Sequence, residues 1–186
     1  MGISSLAGAI MRYDLVIVGA GPTGLACAIE AQQLGLDYLV LEKGCLVDAL
    51  YRFPVNMVFF TTPELLEIGE LPLVCAREKP TRQEALQYYR KVADRYQLNV
   101  LQYQRVTAVT GSFGAFTVSS LGRAGLCQYQ SRTVVVATGY YDHPNWLGVS
   151  GEELPKVAHY YSEPHSFWRR QVAVVGGANS AAEAAL

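Results

Sequence analysis

The stretch VIVGAGPTGLACA, residues 16–28, determines the fold class of this 186-residue chain. The apolar run over residues 14–18 ends at a glycine and is typical of a central parallel strand that is covered on both faces. Residues 23–34 then carry apolar side chains at helical spacing, and Gly35 follows where a helix would end. A second strand is predicted at residues 38–41. Strand, helix and strand in this order form a βαβ unit, so we predict an α/β fold.

Three glycines in this stretch stand at G-x-G-x-x-G spacing. Gly19 allows the tight turn out of the strand, Gly21 lets a pyrophosphate approach the backbone, and Gly24 lets the helix pack against the strand. The phosphates would meet the amide groups at the helix N-terminus. Glu42 follows the second strand, where its carboxylate can accept hydrogen bonds from a ribose diol. The sequence therefore predicts a dinucleotide site, and this pattern alone does not distinguish FAD from NAD.

A second turn follows a long apolar strand in TVVVATGYYDHP, residues 133–144. Ala137, Thr138 and Gly139 form a small turn that lets backbone approach a long ligand. With this turn the chain resembles the flavoproteins with two dinucleotide-binding domains, the group that includes thioredoxin reductases and flavin monooxygenases. The resemblance implies that the first glycine motif holds FAD and that the A-T-G turn lies beside it. A second motif would hold NADPH through four residues, namely Gly176, Gly177, Asn179 and Ser180.

Three longer stretches narrow the resemblance to the bacillithiol-disulfide reductase branch, described also as thioredoxin reductase-like. They are YRFPVNMVFFTTPELLEIGELP (51–72), EKPTRQEALQYYRKVA (78–93) and ATGYYDHPNWLGVSGEELPKVAHYY (137–161). The likeness covers residues 13–186. It implies that four residues lie near the flavin: Tyr51, Pro54, Asn56 and Thr61. We also assign Pro22, Thr23, Lys43 and Val106 to cofactor binding.

Two departures from these relatives concern the disulfide chemistry. Thioredoxin reductases carry a redox C-x-x-C before the second glycine motif, whereas this chain has HYYS at residues 159–162. Relatives in the branch often carry Cys where this chain has Thr23, and a hydroxyl cannot replace a thiolate nucleophile. Cys27 lies one turn further along the helix and is interpreted as a core residue. Electrons would then pass directly from reduced flavin to a small disulfide, or the substrate is not a disulfide.

The rest of the chain predicts a helix, a small β-meander and the start of a second unit. Residues 44–73 are predicted to be irregular, and a helix begins at Thr81, which forms a capping box with Glu84. Its buried stripe is expected to contain Leu86, Tyr89, Val92, Ala93 and Tyr96. Short strands are predicted at 100–103, 105–109, 115–118 and 127–130, with Gly111, Gly114, Gly122 and Gly125 at the turns. A strand at 133–137 returns to the main sheet, and another is predicted at 172–177.

These elements predict four segments. Residues 1–11 are interpreted as a leader, either an upstream start or a disordered tail. Residues 12–148 are the N-terminal part of a Rossmann-like FAD-binding domain. Residues 149–170 connect it to residues 171–186, the first strand and helix of a truncated NAD(P)H-binding domain. A complete second domain would need roughly 100 further residues. We therefore expect the N-terminal fragment of a longer oxidoreductase.

The composition of the chain argues against nucleic acids, membranes and metal ions as binding partners. The formal net charge of −1 gives no general attraction to nucleic acids, and the longest apolar runs are far shorter than the roughly 20 residues of a membrane span. The four cysteines are widely separated, with no C-x-x-C and no metal-ligand spacing. This favours a reduced, cytoplasmic protein with cysteines buried in the core. His159, Glu163 and His165 match no ligand motif, so we predict no metal. The sequence does not decide between a monomer and a homo-oligomer.

Three functional hypotheses remain. In the first, NADPH reduces FAD and the flavin reduces a low-molecular-weight disulfide such as bacillithiol disulfide. In the second, the flavin reacts with oxygen, as in a monooxygenase. In the third, the 186 residues alone are a non-catalytic nucleotide-binding module, and only the parent protein is an enzyme.

Overall fold

The fold of this chain is built on a six-stranded mixed sheet, seen in a computed structural model that describes residues 12–186. The strands are β1 (Arg12–Val18), β2 (Tyr38–Leu41), β3 (Val100–Leu101), β4 (Arg105–Ser112), β5 (Ala115–Gly122) and β6 (Gly125–Val136). The helices are α1 (Pro22–Gln33), α2 (Asp48–Tyr51), α3 (Arg82–Tyr96) and α4 (Asn179–Ala185). The strand order β3-β2-β1-β6-β5-β4 joins a parallel half to an antiparallel half. The predicted α/β class is confirmed.

The centre of the sheet is β1, which pairs in parallel with β2 on one side and β6 on the other. Val16 and Ile17 of this strand are fully buried and belong to core clusters on opposite faces of the sheet. Such two-sided burial requires apolar residues at every position, not at alternate ones. This requirement explains the continuous apolar run before Gly19.

The two faces of the parallel half are covered by different elements. Helices α1 and α3 pack on one face, where Leu25, Tyr89 and Val92 are buried. On the other face, Val118 of β5 and Tyr129 of β6 pack against residues of β1 and β2. The antiparallel ribbon therefore takes the place of a second layer of helices.

The structure corrects the predicted boundaries in the antiparallel half. The two strands predicted at 127–130 and 133–137 are one strand, β6, because no glycine or proline interrupts residues 126–136. Its first half pairs with β5 and its second half with β1. The strand predicted at 100–103 is limited to Val100–Leu101, which pairs with β2. Gly111 lies inside β4, whereas Gly114 lies in the turn to β5.

Two further predictions were wrong, one of an irregular segment and one of a strand. Residues 44–73 contain the short helix α2 and a 3-10 turn at Pro63–Leu65. The strand predicted at 172–177 is not formed in the described part of the chain, because no neighbouring strand there offers these residues hydrogen bonds. The helix predicted after them is present as α4.

Helix α3 has the predicted capping box and a wider buried face than its stripe indicated. Tyr89 and Val92 are fully buried as predicted, Leu86 and Tyr96 are partly buried, and Ala85 and Tyr88 are buried in addition. The extra burial arises because the loop before the helix folds over it. The Tyr88 hydroxyl donates to the Leu71 carbonyl and the Tyr89 hydroxyl to the Leu66 carbonyl, both at 2.8 Å.

The capping box supports a first prediction. The Thr81 hydroxyl accepts a hydrogen bond from the Glu84 amide at 3.2 Å, and the Glu84 carboxylate accepts from the Thr81 amide at 2.8 Å. The substitution Thr81→Ala should lower the free energy of unfolding by about 1 kcal/mol, because an amide loses its partner. Urea denaturation followed by circular dichroism measures this change. Gln83→Ala, at an exposed position of the same helix, is the control; equal stability of the two variants would contradict the prediction.

The leader prediction falls on residues 1–11, which lie outside the described residues. Within residues 12–186, no helix combines the length and the apolar character that crossing a bilayer requires.

Candidate functional site

The candidate site lies where β1 turns into α1. Gly19 has a φ of +106°, and its amide donates to the Leu41 carbonyl at 2.8 Å, which ties the turn to β2. A Cβ atom on Gly24 would lie 1.9 Å from the Gly19 carbonyl oxygen, and a Cβ on Gly19 would lie 2.4 Å from the Ala137 carbonyl oxygen. At both positions a side chain would collide with a backbone carbonyl oxygen, so only glycine fits.

Gly21 differs from these two glycines because its missing side chain leaves open space. A Cβ placed there would meet no atom within 4 Å, and its φ of −72° is accessible to any residue. Gly21 is the N-cap of α1, Pro22 follows it, and no described side chain caps the helix. The amide groups of the first helical turn, Thr23 included, are therefore left for a ligand.

Glu42 stands directly beside this turn at the end of β2. Its carboxylate accepts hydrogen bonds from the Ala20 amide at 2.7 Å and from the Gly44 amide at 2.9 Å. The side chain is 5% exposed. The two amides fix the carboxylate beside the glycine turn, at the position predicted for a ribose acceptor.

The A-T-G turn at the end of β6 completes the same edge of the sheet. The Ala137 amide donates to the Val18 carbonyl at 2.8 Å, which places this turn beside Gly19. Thr138 is exposed, and Gly139 is exposed with a φ of +64°. The carboxyl ends of three parallel-paired strands thus meet here, the usual position of ligand sites in open α/β sheets.

An ion-pair network that the sequence analysis missed closes one side of this edge. Lys43 pairs with Asp142, and Arg52 pairs with Asp142 and also with Asp48, the latter at 2.9 Å. The network ties the segment after β2 to the segment after the A-T-G turn. No local pattern predicts it, because residues 43, 52 and 142 are far apart in the sequence.

The residues that the resemblance places near a flavin have different environments. Tyr51 is 56% exposed, with the Arg82 guanidinium 5.4 Å from its ring centroid, and Asn56 is exposed. Pro54 is partly exposed. The Thr61 hydroxyl is buried, and no described residue lies in hydrogen-bonding position to it. A buried hydroxyl without a partner indicates a ligand or solvent contact at this position.

Other predicted site residues lie elsewhere. Val106 packs in the core cluster on the ribbon side of the sheet, with Val16 and Leu41. The four residues of the predicted second motif are all exposed and lie at the start of α4 or just before it: Gly176, Gly177, Asn179 and Ser180.

Glu152 organises the connector and was also missed by the sequence analysis. Its carboxylate accepts hydrogen bonds from the Leu147 and Gly148 amides at 2.9 and 2.8 Å and lies 3.0 Å from His159 Nε2. The His159 contact and the amide bonds lower the pKa of Glu152 to about 2. The His159 ring in turn lies 4.4 Å from that of Trp146, measured between centroids.

This lowered pKa predicts how the connector responds to pH. A carboxyl group whose pKa is lower in the folded state stabilises that state above its ordinary pKa, near 4.5, and loses the contribution as the pH falls towards 2. Hydrogen-exchange protection of the Leu147 and Gly148 amides should therefore fall between pH 5 and pH 2.5. In Glu152→Gln the protection should be low at both pH values. Glu153→Gln, at the exposed neighbouring position, should behave like the unmodified chain; identical pH dependence in both variants would contradict the assignment.

The cysteines are less buried than predicted. All four are free and partly exposed. Cys27 and Cys127 pack against the two core clusters, whereas the Cys75 thiol donates to the Arg77 carbonyl. Within the described residues, no group of three or more histidine, cysteine, aspartate or glutamate side chains has a metal-binding arrangement.

The strand order, the glycine turn and the buried acid define a Rossmann-like dinucleotide-binding domain. The sequence matches the family of pyridine nucleotide-disulphide oxidoreductases over residues 16–186, and the chain belongs to this family. The predicted family resemblance is thereby confirmed.

Two reductases are more similar to this chain in sequence than a flavin monooxygenase is. It is 42% identical over 177 residues to the bacilliredoxin reductase Bdr of Bacillus subtilis (strain 168), covering 95% of this chain and 54% of that protein. The structure of the bacillithiol disulfide reductase Bdr (YpdA) from Bacillus cereus is 44% identical and matches with a TM-score of 0.90, over 94% of this chain and 54% of that one. A mutant flavin monooxygenase from Stenotrophomonas maltophilia is 27% identical with a TM-score of 0.80, over 94% and 53%. The chain spans about half the length of the curated relatives it matches.

Proposed function

We propose that this chain binds FAD and is part of an FAD-dependent NAD(P)H oxidoreductase that reduces a low-molecular-weight disulfide such as bacillithiol disulfide. The observation that carries the proposal is the pair formed by the open backbone at Gly21 and the buried Glu42 beside it. This pair offers amide donors to a diphosphate and an acceptor to a ribose diol, as an adenine dinucleotide requires.

The residues present offer groups that suit three parts of FAD, namely the diphosphate, the adenosine ribose and the flavin ring. The amides at the start of α1 would hold the diphosphate, and Glu42 would hold the adenosine ribose. The A-T-G turn, with two of its residues exposed at the same edge, would border the cofactor. The buried hydroxyl of Thr61, which has no hydrogen-bond partner among residues 12–186, would donate to or accept from the polar edge of the flavin ring. When bound, the flavin supplies the two-electron redox chemistry, while the protein binds and orients it.

NADPH is the proposed electron donor. Its support is the second glycine motif before α4 together with membership of a pyridine nucleotide family. Asn179 and Ser180 stand at the start of α4, where they would lie close to the phosphates of the nucleotide.

The disulfide acceptor is supported by the relatives. The two most similar proteins described above are named for bacilliredoxin and for bacillithiol disulfide, at 42% and 44% identity. The flavin monooxygenase is only 27% identical to this chain, so it supports oxygen as the electron acceptor less strongly than the two reductases support a disulfide. Because Thr23 cannot act as a thiolate, we propose direct electron transfer from the reduced flavin to the disulfide. A reducing, cytoplasmic location agrees with the four free cysteines.

The test has two parts. The 186-residue chain is titrated with FAD, and quenching of flavin fluorescence reports binding; no binding at micromolar concentrations would refute the cofactor. The longest product of the gene is then assayed for NADPH oxidation with bacillithiol disulfide, in air and without oxygen. Oxidation that requires the disulfide supports the proposal, whereas oxidation that requires only oxygen would favour a monooxygenase.

A further inference from the structure

A cavity of about 370 Å³ lies between the segment after α2, the start of α3 and the connector. Its volume is within the range of sites for small molecules. Its walls consist mainly of aromatic and arginine side chains: Tyr51, Arg52, Phe53, Arg82, Tyr141 and Tyr160. None of the residues of the glycine turn lines it, and Tyr51 is the only predicted flavin neighbour among the lining residues.

The two arginines of the cavity differ in how their charges are compensated. Arg52 pairs with the carboxylates of Asp48 and Asp142. Arg82 has no ion pair with any residue from 12 to 186. Its Nε and Nη2 donate to the carbonyls of Leu50 and Tyr51, which fixes the guanidinium. A guanidinium has five N–H donors, so three remain for an anionic group in the cavity.

The aromatic walls are held in place by their own contacts. The Tyr160 hydroxyl donates to the Tyr141 carbonyl at 2.5 Å, and the Tyr141 hydroxyl donates to the Arg52 carbonyl at 3.3 Å. The Tyr141 ring lies 4.8 Å from that of Phe53 and 4.9 Å from that of Tyr160. The hydroxyl hydrogens of Tyr141 and Tyr160 are therefore already used in hydrogen bonds, and the three rings present apolar surface to the cavity. An anionic group bound by Arg82 and an apolar body against the rings would suit this arrangement.

We propose that this cavity binds the carboxylate-bearing end of the disulfide substrate, with Arg82 pairing with the carboxylate. The inference rests on the proposed function, because the class of substrate comes from it. Bacillithiol disulfide carries carboxylates on both halves, and guanidinium groups bind carboxylates with two parallel hydrogen bonds. Arg82 is then a specificity-determining residue, and its guanidinium lies 5.4 Å from the ring centroid of Tyr51, a predicted neighbour of the flavin.

The test is binding of bacillithiol disulfide to the 186-residue chain, measured by isothermal titration calorimetry. Arg82→Gln removes the charge and should weaken binding at least tenfold, since it removes a charge-assisted pair. Arg90→Gln makes the same change at an exposed position of the same helix and should alter the dissociation constant less than twofold. Val55→Trp adds a bulky side chain at another lining residue and leaves the Leu50 and Tyr51 carbonyls that hold Arg82 unchanged, and it should also weaken binding at least tenfold. The methyl ester of the disulfide should bind the unmodified chain and Arg82→Gln equally.

The outcomes separate this inference from the proposed function. If FAD binds but the disulfide does not, or if the disulfide binds Arg82→Gln and Val55→Trp as tightly as the unmodified chain, the inference is wrong and the cofactor proposal stands. If the disulfide binds in an Arg82-dependent manner but FAD does not, the cofactor proposal is wrong and the cavity assignment stands. Circular dichroism of each variant confirms that a loss of binding is not a loss of fold.

Discussion

Replacing Gly24 with alanine is expected to lower the free energy of unfolding by about 3 kcal/mol or more. The new Cβ would lie 1.9 Å from the Gly19 carbonyl oxygen and 3.5 Å from a methyl group of Ile17. The 1.9 Å contact is with backbone, which is held by the central strand and cannot move aside as a side chain could. Urea denaturation of the 186-residue chain, followed by circular dichroism, measures the loss.

Gly21→Ala is the matched control for this prediction. Its Cβ meets no atom within 4 Å and its φ is ordinary, so the free energy of unfolding should change by about 0.5 kcal/mol or less. The methyl group does enter the space that the proposed diphosphate requires, so FAD should bind about tenfold more weakly or worse. A Gly24→Ala variant as stable as Gly21→Ala would contradict the packing role of Gly24. Unchanged FAD affinity in Gly21→Ala would contradict the placement of the diphosphate.

Replacing Glu42 has the second large expected effect. Glu42→Ala leaves the Ala20 and Gly44 amides without their buried acceptor, and loss of two charge-assisted hydrogen bonds should cost about 3 kcal/mol or more. Glu42→Gln keeps one acceptor oxygen but turns an amide N–H₂ towards the other amide donor. It should therefore cost about half as much.

The measurement for Glu42 again combines urea denaturation with titration of FAD. Both variants should lose affinity for FAD, because the proposed ribose acceptor is changed. Glu30→Gln, at an exposed position of α1, should change neither quantity. Wild-type stability of Glu42→Ala would show that the carboxylate is not held as the structure describes it.

Most of the nucleotide turn was predictable from the sequence because each of its requirements is local. Gly19 needs a positive φ and Gly24 needs the absence of a Cβ, and both requirements leave a glycine at a fixed spacing in the sequence. Gly35 and the Thr81 capping box are equally local signals, because helix ends are satisfied by residues within one turn.

The antiparallel half was predicted less well for a physical reason. Polar residues at 130–132 interrupt the apolar pattern of β6 because the strand changes partners there, from β5 to β1. The pattern therefore indicated two strands where the backbone continues as one. Helix α2 is only four residues long and has no side-chain cap, so its sequence carries no terminal signal.

The central βαβ unit, the glycine turn after β1, the A-T-G turn after β6 and the acid after β2 were all predictable without the structure, because backbone geometry restricts the residue types at those positions. The pairing of charged side chains, by contrast, became visible only in the folded chain. The pairing of Lys43 and Arg52 with Asp142 depends on segments that folding brings together. The same holds for the lack of an ion pair between Arg82 and any other residue from 12 to 186. Ion pairs between residues 90 or more positions apart leave no periodic pattern in the sequence. The position of each carboxylate depends only on where the folded chain brings a cation close to it.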